Sequence, residues 1–309
     1  VKKELKNLKI TKIYVGIAKT DDGKKILIKA LPGSIVDIRI TRKKSDYLQH
    51  ITKIHKYDKT YTDGEVFCKH FFSPINKDSV ETLKHNAEAS LKHKVCGCKR
   101  QLISYPKQLE LKQQIVEDCF RKIEDKPTIL PIVPSPKDKY RNKIEFSFGV
   151  YISQKDEVDS RWSLFHKQEF SKIIDIDNCG LVSPKMNKVF EYIKKLCFES
   201  GLPTYDQKFH RFFRHLAMRE GTNTQLLVNL AISPAKNDDT ENLEKRRTLK
   251  ETLKTDKFIQ EHITTFVVTY NDLADIIRPD IEVETLFGDG YIFDKLISTP
   301  LSQGGIKGD

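Results

Sequence analysis

Short apolar runs broken by turn residues recur along the first 60 residues, and that pattern predicts short strands. From Leu8 onward, Ile10–Val15 and Lys25–Ile28 read as strands, with the turn residues Asp21-Asp22-Gly23 between them and Leu31-Pro32-Gly33 after them. Beyond that turn Val36, Ile38 and Ile40 alternate with Asp37, Arg39 and Thr41, the signature of a strand with one wet face. Strands this short and this closely spaced predict a small closed barrel of the OB type over residues 1–62. Its wet face carries Arg39, Arg42, Lys43 and Lys44.

The period then changes. Residues 73–94 are polar with few apolar anchors and read as an insertion. Over 104–123, Leu109, Ile115, Val116, Cys119, Phe120 and Ile123 recur at helical spacing behind Ser104 as N-cap, which places Cys119 on a buried stripe. Pro127–Pro136 is a linker or irregular crossover. Lys143–Phe148 alternates cleanly, Trp162–Phe165 offers a partner strand, and a helix runs from Ser183 to Cys197 with Val189, Ile193 and Leu196 on one face. Leu216–Met218 and Leu226–Ile232 flank the hairpin residues Gly221-Thr222-Asn223; Lys236–Lys254 is highly charged and either helical or mobile; Tyr291–Leu296 is strand-like. Strands and helices without strict alternation predict an α+β domain over 125–285.

Charge changes the picture at the N-terminus. The 309 residues carry 54 Lys+Arg against 43 Asp+Glu, a net charge of +11, and residues 1–60 alone hold 16 against 6. A module this basic attracts polyanions through counterion release, so RNA or DNA is the expected partner, against the alternative of a merely solvated lysine-rich surface. No apolar run approaches the roughly 20 residues of a membrane span, and the lysine-rich start lacks a signal peptide's apolar core, so a cytoplasmic location and no membrane partner are expected. Position 1 is Val and the only methionines are Met186 and Met218, which hints at a fragment.

Thiols supply the candidate chemistry. Cys68-Lys69-His70-Phe71 is followed, after the insertion, by Cys96-Gly97-Cys98-Lys99-Arg100-Gln101, with a distant fourth in Asp177-Asn178-Cys179. Clustered thiols with one remote partner are how a chain in a reducing compartment holds a metal centre. Basic positions recur with aromatics: Arg141-Asn142-Lys143 opens a strand, and Arg211, Arg214 and Arg219 interleave with Phe209, Phe212 and Phe213. Such a set can clamp phosphates and stack on single-stranded RNA, although core aromatics flanked by surface charge give the same pattern.

These motifs together resemble the RNA (uracil-5-)-methyltransferases, in particular the 23S ribosomal RNA enzymes that begin with a TRAM domain. The resemblance lies in Cys68-x-His70-Phe71, in Cys96-Gly97-Cys98 through Gln101 to Ser104-Tyr105, and in Val15-Gly16-Ile17-Ala18 with Leu31-Pro32-Gly33 and Tyr47. It extends through Tyr140-Arg141-Asn142-Lys143 and Cys179 to Leu216-Ala217-Met218-Arg219-Glu220-Gly221. It implies a TRAM barrel over 1–62, a cluster-binding segment over 63–124, a central RNA-binding domain over 125–285 and, at 286–309, the start of a truncated Rossmann-like methyltransferase domain.

The resemblance further implies a [4Fe–4S] cluster on Cys68, Cys96, Cys98 and Cys179, the alternative being zinc with His70, His85 or His93 in place of a cysteine. The family's two-glycine spacer is a single Gly97 here, and its first cysteine lies nearer the second. RNA contacts are expected from Arg39, Arg42, Lys43, Arg141, Asn142, Lys143, Arg214 and Arg219, on 23S RNA, by a monomer. The family's nucleophilic cysteine has no counterpart after Cys197, and Gln303 is the candidate contact to S-adenosylmethionine. The expectation is therefore the RNA-recognition and cluster-bearing portion of a methyltransferase, inactive alone, its C-terminal domain missing or only begun.

Overall fold

The computed structural model describes residues 2–9, 16–19, 25–28, 34–43, 46–56, 64–65, 67–68, 101, 103–152, 158–165, 176–203, 212–234, 240–271 and 281–294. The chain divides into two compact units, one of Val1–Leu91 with Cys98–Lys137, the other of Lys92–Gly97 with Asp138–Asp309. The predicted strand Ile10–Val15 and the turns at 21–23 and 31–33 lie outside the described residues.

In the first unit β4 (Ile35–Lys43) lies between β1 (Lys2–Lys9) and β5 (Asp46–Lys56), antiparallel to both, while β2 (Gly16–Lys19) and β3 (Lys25–Ile28) pair with each other. Alternation decides the faces: Val36 and Ile38 are fully buried, and Leu8, the Cα partner of Val36, is buried with them. Arg39 is exposed opposite Glu4 and donates to its carboxylate at 2.8 Å and 3.0 Å, a cross-strand pair of opposite charge. The unit's described strands thus make a three-stranded sheet and a two-stranded ribbon.

Helix α1 (Tyr105–Phe120) begins where Ser104 sits in the cap position, but the Ser104 side chain makes no capping bond. Cys119 is exposed, not buried; Val116 and Ile123 are about half exposed, and Leu111 is the buried residue. Helical spacing says which face is apolar and not how much of it a neighbour covers. The Pro-rich stretch is strapped to this helix: Ser135 donates its N–H to the Tyr105 hydroxyl at 2.8 Å, and Gln113 donates to the Leu130 carbonyl at 3.3 Å.

The second unit is built on a six-stranded sheet in the order β11-β10-β9-β8-β6-β7. Its strands are β6 (Lys143–Ile152), β7 (Val158–Phe165), β8 (Phe213–Glu220), β9 (Leu226–Ile232), β10 (Thr265–Tyr270) and β11 (Glu282–Phe287). All neighbours are antiparallel except β9 and β10, which the helical crossover α3 (Thr240–Thr255) and α4 (Lys257–His262) makes parallel. Helix α2 (Pro184–Glu199) is capped by the Ser183 hydroxyl, which accepts from the Met186 N–H at 3.0 Å.

One face of the sheet carries Ile144, Phe146, Leu216, Met218, Val228, Leu230, Phe266 and Val268, and helices α2, α3 and α4 add Met186, Phe190, Ile193, Leu253 and Ile259 to the same core. Phe146 stacks on Phe190 at 4.1 Å between ring centroids. The opposite face carries Lys143, Glu145, Ser147, His215, Ala217, Arg219 and Asn229, half-buried or exposed. Tyr291–Asp294 is irregular rather than a strand, because it leaves β11 through Gly288 and Gly290, both at positive φ, and turns onto the β8–β9 loop.

The edge strand is tied to the crossover helix by a polar cluster. Lys250 donates to Glu284 at 2.6 Å and to the Tyr270 hydroxyl at 3.0 Å, and the Tyr270 hydroxyl also bonds Glu284. Partial burial pushes the Glu284 carboxyl up, but the bonds from Lys250 and Tyr270 outweigh it and hold the carboxyl below its ordinary value. A depressed carboxyl stabilises the fold above the ordinary range and loses that contribution as pH falls through its lowered value. Glu284→Gln is therefore expected to lower the melting temperature by about 1–3 °C at neutral pH. In melts taken from about pH 7 to pH 3 the two curves should converge on the acid side; a gap that persists unchanged there would remove the ionised pair as its cause.

Candidate nucleic-acid interface

The strand-opening segment 139–143 is stitched on both sides. Lys139 donates its N–H to the Gly180 carbonyl at 3.0 Å and Arg141 to that of Leu181 at 2.9 Å, while the Asn142 carbonyl accepts from the Glu220 N–H at 2.8 Å. The second unit thereby carries Arg141, Asn142 and Lys143 alongside the Cys179 loop on one flank and the end of β8 on the other. Lys143 and Arg219 are Cα partners across β6 and β8, and both are exposed. Two like charges directly opposite are destabilising. Neither head group has an ion-pair or hydrogen-bond partner among the described residues, and Arg141 has none for its side chain. The nearest carboxylate along β6, Glu145, lies 3.5 Å from His215 Nδ1.

Backbone strain gathers at the same place. Lys139 (φ 52°) and Thr224 (φ 65°) are the two non-glycine residues at positive φ among those described. Lys139 begins the stitched segment, and Thr224 lies in the β8–β9 loop, where its carbonyl accepts from Lys185 at 2.6 Å. Such conformations persist where surrounding bonds over-determine them.

Cys179 is half-buried and held by Asn187, whose side chain accepts from the Cys179 N–H at 2.8 Å and donates to its carbonyl at 3.0 Å. A shallow groove of about 520 Å³ beside it is lined by Lys139, Asp177, Asn178, Lys188 and Glu191 among others. In the first unit Cys68 is likewise half-buried, and its N–H donates to the side-chain oxygen of buried Gln101 at 3.0 Å. Each described candidate cysteine thus has its backbone fixed by an amide side chain. Cys96, Cys98 and Gln303 lie outside the described residues, as do the side chains of Arg42 and Lys43. Among the described residues no group of three or more His, Cys, Asp or Glu comes together as a metal site.

One sequence expectation is corrected here. Arg214 is 2% exposed and donates to the Asn271 carbonyl at 2.6 Å, so it is a core residue and not a surface RNA contact. Phe212 and Phe213 are buried with it, Phe213 stacked on Phe148 at 5.0 Å and Phe212 under the Arg246 guanidinium at 4.2 Å. The described aromatics of that patch are core. Cys197 is fully buried, and burial pushes its thiol far above the ordinary range, which rules it out as a nucleophile. Sequence reading singled out Gln101 as part of the cysteine motif but missed Lys139, Lys185 and Asn187.

The chain is similar to proteins named as RNA methyltransferases. No family model matches the chain. It is 28% identical over 286 residues to a protein of Halalkalibacterium halodurans named as an uncharacterized RNA methyltransferase, the alignment covering 91% of this chain and 54% of that protein. A Clostridium tetani protein named the same way is 29% identical over 294 residues, covering 91% and 57%. The chain thus spans about half the length of these relatives. The structure of Pyrococcus abyssi tRNA (uracil-54, C5)-methyltransferase with S-adenosyl-L-homocysteine matches with a TM-score of 0.54 at 19% identity, over 95% of this chain and 58% of that one. At that identity the likeness speaks for the fold. The resemblance to the RNA (uracil-5-)-methyltransferases read from the motifs is borne out.

The same matches overturn the expected fold class. A methyltransferase domain missing or only begun does not stand, because the methyltransferase structure covers 95% of this chain and the relatives 91%. That expectation rested on the lack of a counterpart to the family's nucleophilic cysteine after Cys197. Membrane-spanning chemistry finds no support in the described helices, none of which is long and apolar enough to cross a bilayer.

Removing a buried guanidinium leaves a carbonyl unpaired and a void, so Arg214→Ala is expected to cost roughly 2–4 kcal/mol in denaturant melts. Asn187→Ala frees the Cys179 backbone and should speed alkylation of that thiol several-fold, read by peptide mass after a timed iodoacetamide pulse. An unchanged rate would show that Asn187 does not restrain the loop.

Proposed function

We propose that the protein carrying this chain transfers a methyl group from S-adenosylmethionine to C5 of a uridine in RNA, with 23S ribosomal RNA as substrate. The observation behind this reading is the juxtaposition of Lys143 and Arg219, with Arg141 beside them. Like charges placed across a strand pair with no counter-charge among the described residues cost stability, and a phosphate backbone can supply negative charge there. Asn142 adds an amide that can read a splayed base beside the arginine fork. Motif resemblance, the named relatives and the fold match support the methyl-transfer chemistry.

In that chemistry a thiolate adds to uracil C6, C5 takes the methyl group with S-adenosylhomocysteine as the leaving group, and a base then removes the C5 proton as the thiolate is expelled from C6. The described residues serve the RNA side: they bind, orient and neutralise phosphate. Gln303 is the proposed contact to the methyl donor.

Cys68, Cys96, Cys98 and Cys179 are proposed to hold a [4Fe–4S] cluster, zinc being the alternative. Cys68 and Cys179 suit a soft metal: both are half-buried thiols on amide-clamped backbones. Uracil methylation has no redox step, so such a centre would pin the RNA-binding elements.

In filter binding of the full chain to an unmodified 23S transcript, Arg141→Gln, Lys143→Gln and Arg219→Gln should each weaken affinity and reduce the salt slope by about 0.7. Equal affinity of wild type and the triple variant would sink the ridge as an RNA contact. With labelled S-adenosylmethionine, the protein carrying this chain should place label in 5-methyluridine of ribosomal RNA. Label in transfer RNA or in another base would overturn the substrate reading.

A further inference from the structure

Two large aromatic side chains stand out of the surface beside this ridge, and the methyltransferase reading does not use them. Tyr291 is 53% exposed and Phe293 63%, and their rings meet edge to face at 5.3 Å. The stretch that bears them is anchored: Phe293 donates its N–H to Gln225 Oε1 at 2.8 Å, and Asp294 Oδ1 accepts from both the N–H (2.9 Å) and the hydroxyl (2.6 Å) of Thr222. Gly290 donates to the Thr265 hydroxyl at 2.8 Å. Gly221 makes room for the approach, since a Cβ there would lie 2.9 Å from the Phe293 carbonyl.

The stretch is thus docked on the β8–β9 loop, which begins two residues after Arg219. From its other side Lys185 grips the same loop at Thr224. Backbone is held while rings face water, the reverse of what burial of apolar surface favours.

We propose that Tyr291 and Phe293 are a stacking step for the unpaired bases of a single-stranded RNA segment whose phosphates lie on Arg219 and Lys143. The inference rests on the RNA-binding reading above and adds which structural state of RNA is taken. Anchored aromatic faces beside cations that have no partner among the described residues are the combination that single-strand binders use, because every base offers a π-face and every linkage a charge. Duplex RNA keeps its bases stacked inside and has no face to offer. A basic peptide would meet Arg219 and Lys143 with its own sign of charge.

The test is fluorescence anisotropy of the full chain with a labelled 12-nucleotide oligouridylate and with a 12-base-pair RNA duplex, each over a salt series. Tyr291→Ala with Phe293→Ala should weaken single-strand binding about tenfold or more while leaving the salt slope unchanged. Duplex affinity should move less than twofold, and Tyr291→Phe with Phe293→Tyr should restore binding. Thermal melts of both double variants should match wild type, since both rings are exposed. If wild type binds the oligouridylate and the alanine variant binds it within twofold, the stacking step is wrong while the RNA reading stands. If the wild type binds neither RNA, both fall. An equal loss for strand and duplex, or a wild-type dimer in light scattering that the alanine variant abolishes, would also overturn the proposal, the latter by making the rings a self-association surface.

Discussion

The second unit depends on how the backbone of residues 139–143 is satisfied. Each amide and carbonyl withdrawn from water needs a partner, and this segment finds them in two directions, at Gly180 and Leu181 before the strand opens and at Glu220 once it has. That requirement brings a loop, a strand start and a strand end together although they are far apart in sequence. The charges of Arg141, Lys143 and Arg219 converge as a result of backbone pairing, and no attraction among the side chains could have gathered them. Packing beneath supplies the rigidity: Phe146 against Phe190 locks β6 to α2, which in turn holds Asn187 where it grips Cys179.

Much of this fold was legible because its signals are local. Val36 and Ile38 sit on the dry side of β4 as their alternation requires, the Gly221-Thr222-Asn223 turn joins the two strands that flank it, and Ser183 caps the helix it precedes. The parallel pairing of β9 with β10 was not legible, since it is made by a crossover helix whose charged sequence shows little apolar face. Residues 257–285 gave no signal that they supply two strands and the sheet's edge.

The misread residues share a cause. Arg214 was assigned to the surface because arginine usually is, yet it lies buried with its guanidinium donating to the Asn271 carbonyl. Phe212 and Phe213 then follow it inward. Cys119 erred in the opposite sense: it lies on an apolar stripe whose outer part nothing described covers. Composition and spacing report what a residue can do, whereas burial is decided by which neighbours arrive, and those neighbours come from distant sequence.

The glycines after β11 show how such a distant arrival is enforced. Gly288 has φ 74°, and a Cβ at that position would lie 2.4 Å from the Thr264 carbonyl, so no other residue allows the chain to pass β10 so closely. Gly290, at φ 80°, turns the chain again and donates to the Thr265 hydroxyl, which in turn donates to the Phe287 carbonyl at 3.0 Å. After two such turns the direction of residues 291–294 is set before any of their own side chains makes contact. Thr222 and Gln225 complete the docking. The rings of Tyr291 and Phe293 are therefore held in place by backbone geometry upstream of them, which leaves their apolar faces unspent on the fold.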